Sequence, residues 1–204
     1  MITIIDCGIG NLGSVVNMFK RLGVPAETSS DIEVIDRAVK IILPGVGAFD
    51  TAMNRIESLG LRDVIVKKAT VEKIPLLGIC LGMQLLTNGS EEGQKKGLEL
   101  VEAKTIKFSF SGEENYKIPH MGWNNVRIAQ TNSLISEGVE EQRFYFIHSY
   151  YVKANSDKNV LGKTMYGHEF DSVITNGDNV FGMQFHPEKS HKFGMRLLQN
   201  FAAL

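Results

Sequence analysis

Pro75-Leu76-Leu77-Gly78-Ile79-Cys80-Leu81-Gly82-Met83-Gln84-Leu85-Leu86 is the stretch from which the rest of the sequence can be organised. An apolar run of strand character meets a cysteine with a glycine two positions to either side, and a helical pattern follows. This predicts a nucleophile elbow, in which a strand turns sharply into a helix, the nucleophile sits at the strained corner and the glycines make room for the crossing. The first N–H groups of the helix then point at the sulfur and favour its thiolate, so one turn both exposes and activates the side chain. Taken alone, Gly-x-Cys-x-Gly also describes a small buried cysteine in a core strand.

Upstream of this corner, residues 2–5, 40–43 and 74–79 read as strands, and residues 14–22 and 48–68 as amphipathic helices. Strand alternating with helix predicts a parallel sheet covered on both faces. Downstream the pattern changes: residues 101–108, 125–128, 144–152, 172–175 and 180–184 read as successive strands, with a turn at Asn176-Gly177-Asp178 and a closing helix over 192–201. The expected fold class is α/β: a mostly parallel central sheet flanked by helices, with an antiparallel β extension, in one domain spanning residues 1–204. No repeat or linker interrupts it, and residues 108–117 are polar enough to form an exposed loop.

Composition narrows the function. Twenty-two basic against 23 acidic residues give a net charge of -1, with no electrostatic footprint for nucleic acid or an anionic membrane. No apolar run reaches the roughly 20 residues of a membrane helix, and no basic leader precedes Ile2, so a cytoplasmic protein is expected. Cys7 and Cys80 are the only cysteines, too few for a disulfide framework and without the histidine spacing of a zinc site. No metal or organic cofactor is implied.

A cysteine nucleophile needs a base, and the candidates are His120, His148, His168, His186 and His191. His186 stands apart because Gly182-Met183-Gln184-Phe185-His186-Pro187-Glu188 ends a strand at a histidine, fixes the next residue with proline and places a carboxylate two positions on. His186 would take the proton from Cys80, and Glu188 would orient the imidazole and favour its charged form. By itself His-Pro-Glu also fits a strand-end histidine facing solvent; paired with the elbow it completes a triad. Acyl chemistry further needs oxyanion donors. The Leu81 N–H follows the nucleophile directly. A second donor is expected from Leu43-Pro44-Gly45-Val46-Gly47-Ala48-Phe49, where a flip of the Gly45-Val46 peptide would bring the Val46 N–H to bear.

Gly8-Ile9-Gly10-Asn11-Leu12-Gly13 matches the dinucleotide fingerprint, and Asp31 or Glu33 lies where a ribose-binding acid would. Asp6, however, ends the preceding strand where its charge would repel a pyrophosphate, so these glycines are read as a tight surface loop.

These motifs, with Pro119-His120-Met121-Gly122-Trp123-Asn124 and Phe144-Tyr145-Phe146-Ile147-His148-Ser149-Tyr150, resemble the class I glutamine amidotransferases almost end to end. Within that class they are most similar to the branch that passes ammonia to a (β/α)8-barrel cyclase subunit making imidazole glycerol phosphate and aminoimidazole carboxamide ribotide. The resemblance implies that Cys80 attacks the glutamine amide, and that Gly45, Gly47, Gln84, Glu92, His148, Ser149 and Tyr150 line the glutamine pocket. It places Asn11, Trp123 and Asn124 near the subunit interface of a heterodimer, Trp123 fitting either a core or an interface position. It also implies that docking biases the Gly45-Val46 peptide. Cys7 departs from the tyrosine common in relatives and reads as a packing residue. A paralogue supplying ammonia to a sugar-modifying synthase in surface-glycan assembly, and a catalytically silent binding protein on the same fold, remain as alternatives.

Overall fold

The computed structural model describes residues 1–110, 116–135 and 142–204. The amino-terminal half runs β1 (Ile2–Ile5), α1 (Leu12–Arg21), β2 (Ala26–Ser29), α2 (Ile32–Asp36), β3 (Ile41–Gly45), α3 (Phe49–Ser58), α4 (Leu61–Thr70), β4 (Leu76–Cys80) and α5 (Leu81–Leu85). The remainder is dominated by strands: β5 (Ala103–Lys107), β6 (His120–Asn125), β7 (Arg127–Ile128), β8 (Arg143–His148), β9 (Tyr150–Ala154), β10 (Val160–Tyr166), β11 (His168–Thr175) and β12 (Val180–Met183). Helix α6 (His191–Ala203) closes the chain.

The main sheet has the order β2-β1-β3-β4-β12-β11-β10-β7. Its first five strands pair in parallel, whereas β11, β10 and β7 continue it antiparallel. Strand β9 joins β5 to β11, and β6 with β8 forms a separate two-stranded ribbon. The α/β class with an antiparallel extension is therefore the observed one. Both sheet faces are buried, as parallel strands flanked by helices require. Ile5, Leu43, Leu76 and Met83 pack with α3 and α4 on one face. Ile4, Ile42, Leu77 and Ile79 pack with Phe19 of α1 and Phe201 of α6 on the other. Among the described residues no helix is long and apolar enough to cross a membrane.

The expected helix over 48–68 is two helices, because Gly60 adopts the left-handed conformation (φ +67°) and starts α4 on a new axis. The expected strand over 144–152 is also two. The chain leaves the β6–β8 ribbon at His148 and enters the main sheet at Tyr150, so Ser149 is a crossover point. In place of a strand over 125–128, β6 and β7 break around Val126, which turns into the core. Of the loop expected over 108–117, residues 111–115 lie outside the described set, and Phe108 is buried rather than exposed. It packs among His148, Tyr151 and Phe170.

Candidate active site

The carboxyl ends of β3, β4 and β12 lie side by side, with Gly45 opposite Cys80 and Met183 opposite Ile79. Ligands of open α/β sheets bind at this edge of parallel strands. Cys80 occupies the corner with φ +54° and ψ -109°, a conformation that a side chain adopts only when its surroundings enforce it. A Cβ on Gly82 would lie 1.7 Å from the Leu43 carbonyl oxygen, and one on Gly78 would lie 2.6 Å from the Gly82 carbonyl oxygen. The two glycines thus permit the crossing that strains the cysteine.

His186 follows β12 by three residues. Its N–H donates to the Tyr145 carbonyl at 2.9 Å. Ser190 Oγ donates to the His186 carbonyl at 2.6 Å and accepts the Tyr145 N–H at 3.0 Å. Gly194 of α6 packs against the Pro187 carbonyl with no room for a side chain. The turn is therefore clamped between β8 and α6. His186 Nδ1 lies 2.7 Å from Glu188 Oε1, with both side chains buried. Its Nε2 is thereby left as the nitrogen for proton transfer and makes no ordinary hydrogen bond, as is common before a substrate closes the geometry. Burial opposes the charged ring, but the neighbouring Cys80 sulfur and the Glu188 carboxylate outweigh it and raise the His186 pKa to about 10. The site therefore favours an imidazolium beside the sulfur.

A cleft of about 350 Å³ opens over Cys80, a size suited to one amino acid, and its lining includes Val46, Gly47, Gln84, Glu92, Ser149 and Lys189. The Cys80 thiol faces the Ile147 carbonyl at 3.9 Å, and Gln184 Nε2 approaches the sulfur at the same distance. Gln84 Nε2 donates to the Tyr150 carbonyl and to Gln184 Oε1, so Gln84 braces the cleft wall. Glu92 accepts the Phe49 N–H at 2.9 Å, capping α3, whose own N-cap Ala48 supplies no side-chain acceptor. Asp50 in turn accepts the Gln94 and Lys95 N–H groups, fixing the segment that carries Glu92. His148 and Tyr150 also line the cleft, whereas Gly45 stands behind it, its Cα side closed by Leu81 and Gly82.

Asn11 is the exposed N-cap of α1, its Oδ1 accepting the Ser14 N–H. Trp123 is 38% exposed, stacked on His191 with Arg143 over its ring, so it is a surface and not a core residue. Met121, two residues earlier on the same face of β6, is 57% exposed. In the glycine loop Asp6 accepts the Gly8 N–H at 2.8 Å, leaving that donor unavailable to a phosphate. Cys7 is buried, and burial, reinforced by the Asp6 charge, pushes its thiol up to about 11. Gln184, Ser190, Lys189 and the Ile147 carbonyl were not among the expected site residues. Gln184 lies two residues before His186 and just past β12, a spacing that in extended chain puts two side chains on one side and so marks it in the sequence.

His120 and His148 are buried and neutral, burial pushing them down to about 4 and about 3. An unfolded histidine titrates near 6.5, so stability from these groups is complete above that pH and is lost as pH falls toward the folded values. Urea unfolding at pH 5 should show a loss of about 2 kcal/mol per histidine relative to pH 7. His186 has the opposite sign, contributing below about pH 6.5 and losing that contribution as pH rises toward about 10. A urea midpoint unchanged between pH 7 and pH 5 would contradict the buried neutral pair.

A family model for glutamine amidotransferase class-I matches residues 3–203. The imidazole glycerol phosphate synthase subunit HisH 2 of Methanococcus maripaludis is 54% identical over 201 residues, 98% of each chain. The subunit of the same name from Pseudomonas aeruginosa is 45% identical over 204 residues, all of both chains. The fold is shared with a solved structure described as a glutamine amidotransferase, at a TM-score of 0.75 and 20% identity over 100% of this chain and 99% of that one.

Proposed function

The chain belongs to the class-I glutamine amidotransferases, and from that premise we propose that it acts as a single glutaminase domain, cytoplasmic and paired with a (β/α)8-barrel cyclase subunit. Cys80 Sγ attacks the side-chain amide carbon of L-glutamine. His186 gives its proton to the departing ammonia, then accepts one from the water that cleaves the thioester and releases glutamate. Glu188 holds Nδ1 throughout. Leu81 and Val46 supply the oxyanion N–H groups, and Gly45, Gly47, Gln84, Glu92, His148, Ser149 and Tyr150 build the glutamine site, Gly45 from behind its wall. The observation that carries this reading is the meeting of a strained Cys80 with a buried, Glu188-held imidazole at one small cleft.

The ammonia is proposed to enter the barrel subunit and serve synthesis of imidazole glycerol phosphate, because the relatives over the full length are named as subunits of that synthase. The exposed Met121 and Trp123, with Asn11 and the adjoining, partly buried Asn124, make up the proposed docking surface. Glutamate release is the test, measured for the chain alone and with the barrel subunit and its ligand. At least tenfold stimulation is expected; Cys80-dependent hydrolysis without stimulation would assign the ammonia to another synthase.

Two substitutions test the roles in the triad. His186→Ala should lower kcat/KM by about four orders of magnitude. Glu188→Ala should cost about a hundredfold less than that, and should move the alkaline limb of the pH–rate profile toward neutrality, because Glu188 helps to hold the His186 pKa high. Equal losses in the two variants, with no change in the profile, would remove the orienting role.

A further inference from the structure

The cleft holds two buried histidines, and only one has a place in the proposed chemistry. His148 lies 2.8 Å (Nδ1) from the Tyr150 carbonyl oxygen and 2.9 Å (Nε2) from His120 Nδ1. His120 Nε2 is 3.2 Å from Asn124 Nδ2, which also donates to the Met165 carbonyl at 2.9 Å. Asn124 Oδ1 accepts the Asn125 N–H at 2.8 Å.

Backbone groups at both ends fix every proton in this chain. A carbonyl only accepts, so Met165 and the Asn125 N–H set the Asn124 amide with Nδ2 as donor, and His120 Nε2 must be its acceptor. At the other end the Tyr150 carbonyl requires a proton on His148 Nδ1. One proton remains for the contact between the rings, and it sits on His120 Nδ1 and points at His148 Nε2. Both rings are thus neutral Nδ1–H tautomers, and all four ring nitrogens are engaged. The Tyr150 carbonyl also takes the Gln84 amide proton, so the chain terminates on the cleft wall that presents the Ile147 carbonyl to Cys80.

We propose that His120, outside the cleft, is a positioning residue for glutamine binding: its Nδ1–H locks His148 as the Nδ1–H tautomer, which holds the 147–150 wall and keeps His148 from acting as a second base beside Cys80. This rests on the glutaminase reading above. A neutral His148 also avoids placing a second cation next to the His186 imidazolium. His120 stacks between Phe146 and Tyr166, so the donor is held on a rigid aromatic platform.

Two measurements test this. Long-range 15N correlation spectra of the wild-type chain should show Nδ1 protonated and Nε2 bare in both His120 and His148 from about pH 5.5 to 8. Kinetics with the barrel subunit present should show His120→Phe, which keeps the stacking but loses the donor, raising the glutamine KM about tenfold with kcat changed less than about threefold. His120→Asn, whose amide nitrogen reaches the place of Nδ1, should return KM to within about threefold of wild type. A wild-type His148 protonated on Nε2, an unchanged KM in His120→Phe, or a His120→Asn variant no better than His120→Phe would each overturn the proposal. If His120→Phe fails to fold, the spectra and His120→Asn decide it. Absence of glutamine turnover in the wild type would defeat the glutaminase reading instead, while the tautomers would still be measured.

Discussion

Replacing Cys80 by alanine is expected to lower glutamine-dependent turnover by at least about four orders of magnitude while leaving ammonia-dependent synthesis by the barrel subunit within about twofold of wild type. Without the sulfur no thioester forms, and the clamped His186 has no acyl group to transfer to water. The fold should be unharmed: Cys80 is 6% exposed and alanine removes one atom from a site that opens into a cleft. The ammonia-dependent assay separates chemistry from docking, because exogenous ammonia bypasses the cleft. Loss of both activities would mean that the substitution disturbs the interface, and survival of glutamine turnover would mean that Cys80 is not the nucleophile. Cys7 offers no substitute, since its buried thiol stays protonated at neutral pH.

Gly82→Ala should have the largest effect on the fold. A methyl at this position would sit 1.7 Å from the Leu43 carbonyl oxygen, a backbone atom of a central strand. Neither side can yield cheaply, because β3 is paired on both edges and Gly82 lies in α5 directly after the corner. The expected cost exceeds about 4 kcal/mol, in the range reserved for strained or overpacked cores. Thermal unfolding should place the variant far below wild type or find it insoluble. Gly89→Ala, whose added Cβ would meet no neighbour closer than 3.5 Å, serves as the control and should shift stability by less than about 1 kcal/mol. A folded, active Gly82→Ala protein would show that the crossing at the elbow is looser than the 1.7 Å approach requires.

The elbow, the His-Pro-Glu turn and the parallel half of the sheet could be read from sequence because each is local. The glycines at 78 and 82, the apolar run between residues 74 and 79 and the proline at 187 all act within a few residues of the side chain they place. What escaped reading depends on contacts between distant segments. Nothing in Phe144 to Tyr150 signals that the chain changes sheets at Ser149, since both halves carry the same aromatic pattern and only their pairing partners, β6 for one and β5 with β11 for the other, distinguish them. Glu92 reads as half of an acidic pair, and its use as a cap for α3 depends on a helix start 43 residues earlier. Strand β2 was missed because Ala26-Glu27-Thr28-Ser29 is an edge strand with mostly partial burial, so it lacks the apolar run that marked its neighbours. His120 and His148 are 28 residues apart in sequence and meet only through the β6–β8 register.

The proposed role of Cys80 as the single activated thiol of a glutamine site is tested most directly by incubating the chain with a diazoketone analogue of L-glutamine, with and without the barrel subunit, and locating the adduct by peptide mass spectrometry. One adduct per chain on Cys80, suppressed by excess glutamine and absent from His186→Ala on the same time scale, is the predicted result. Modification of Cys7, or labelling of Cys80 that glutamine does not suppress, would contradict it.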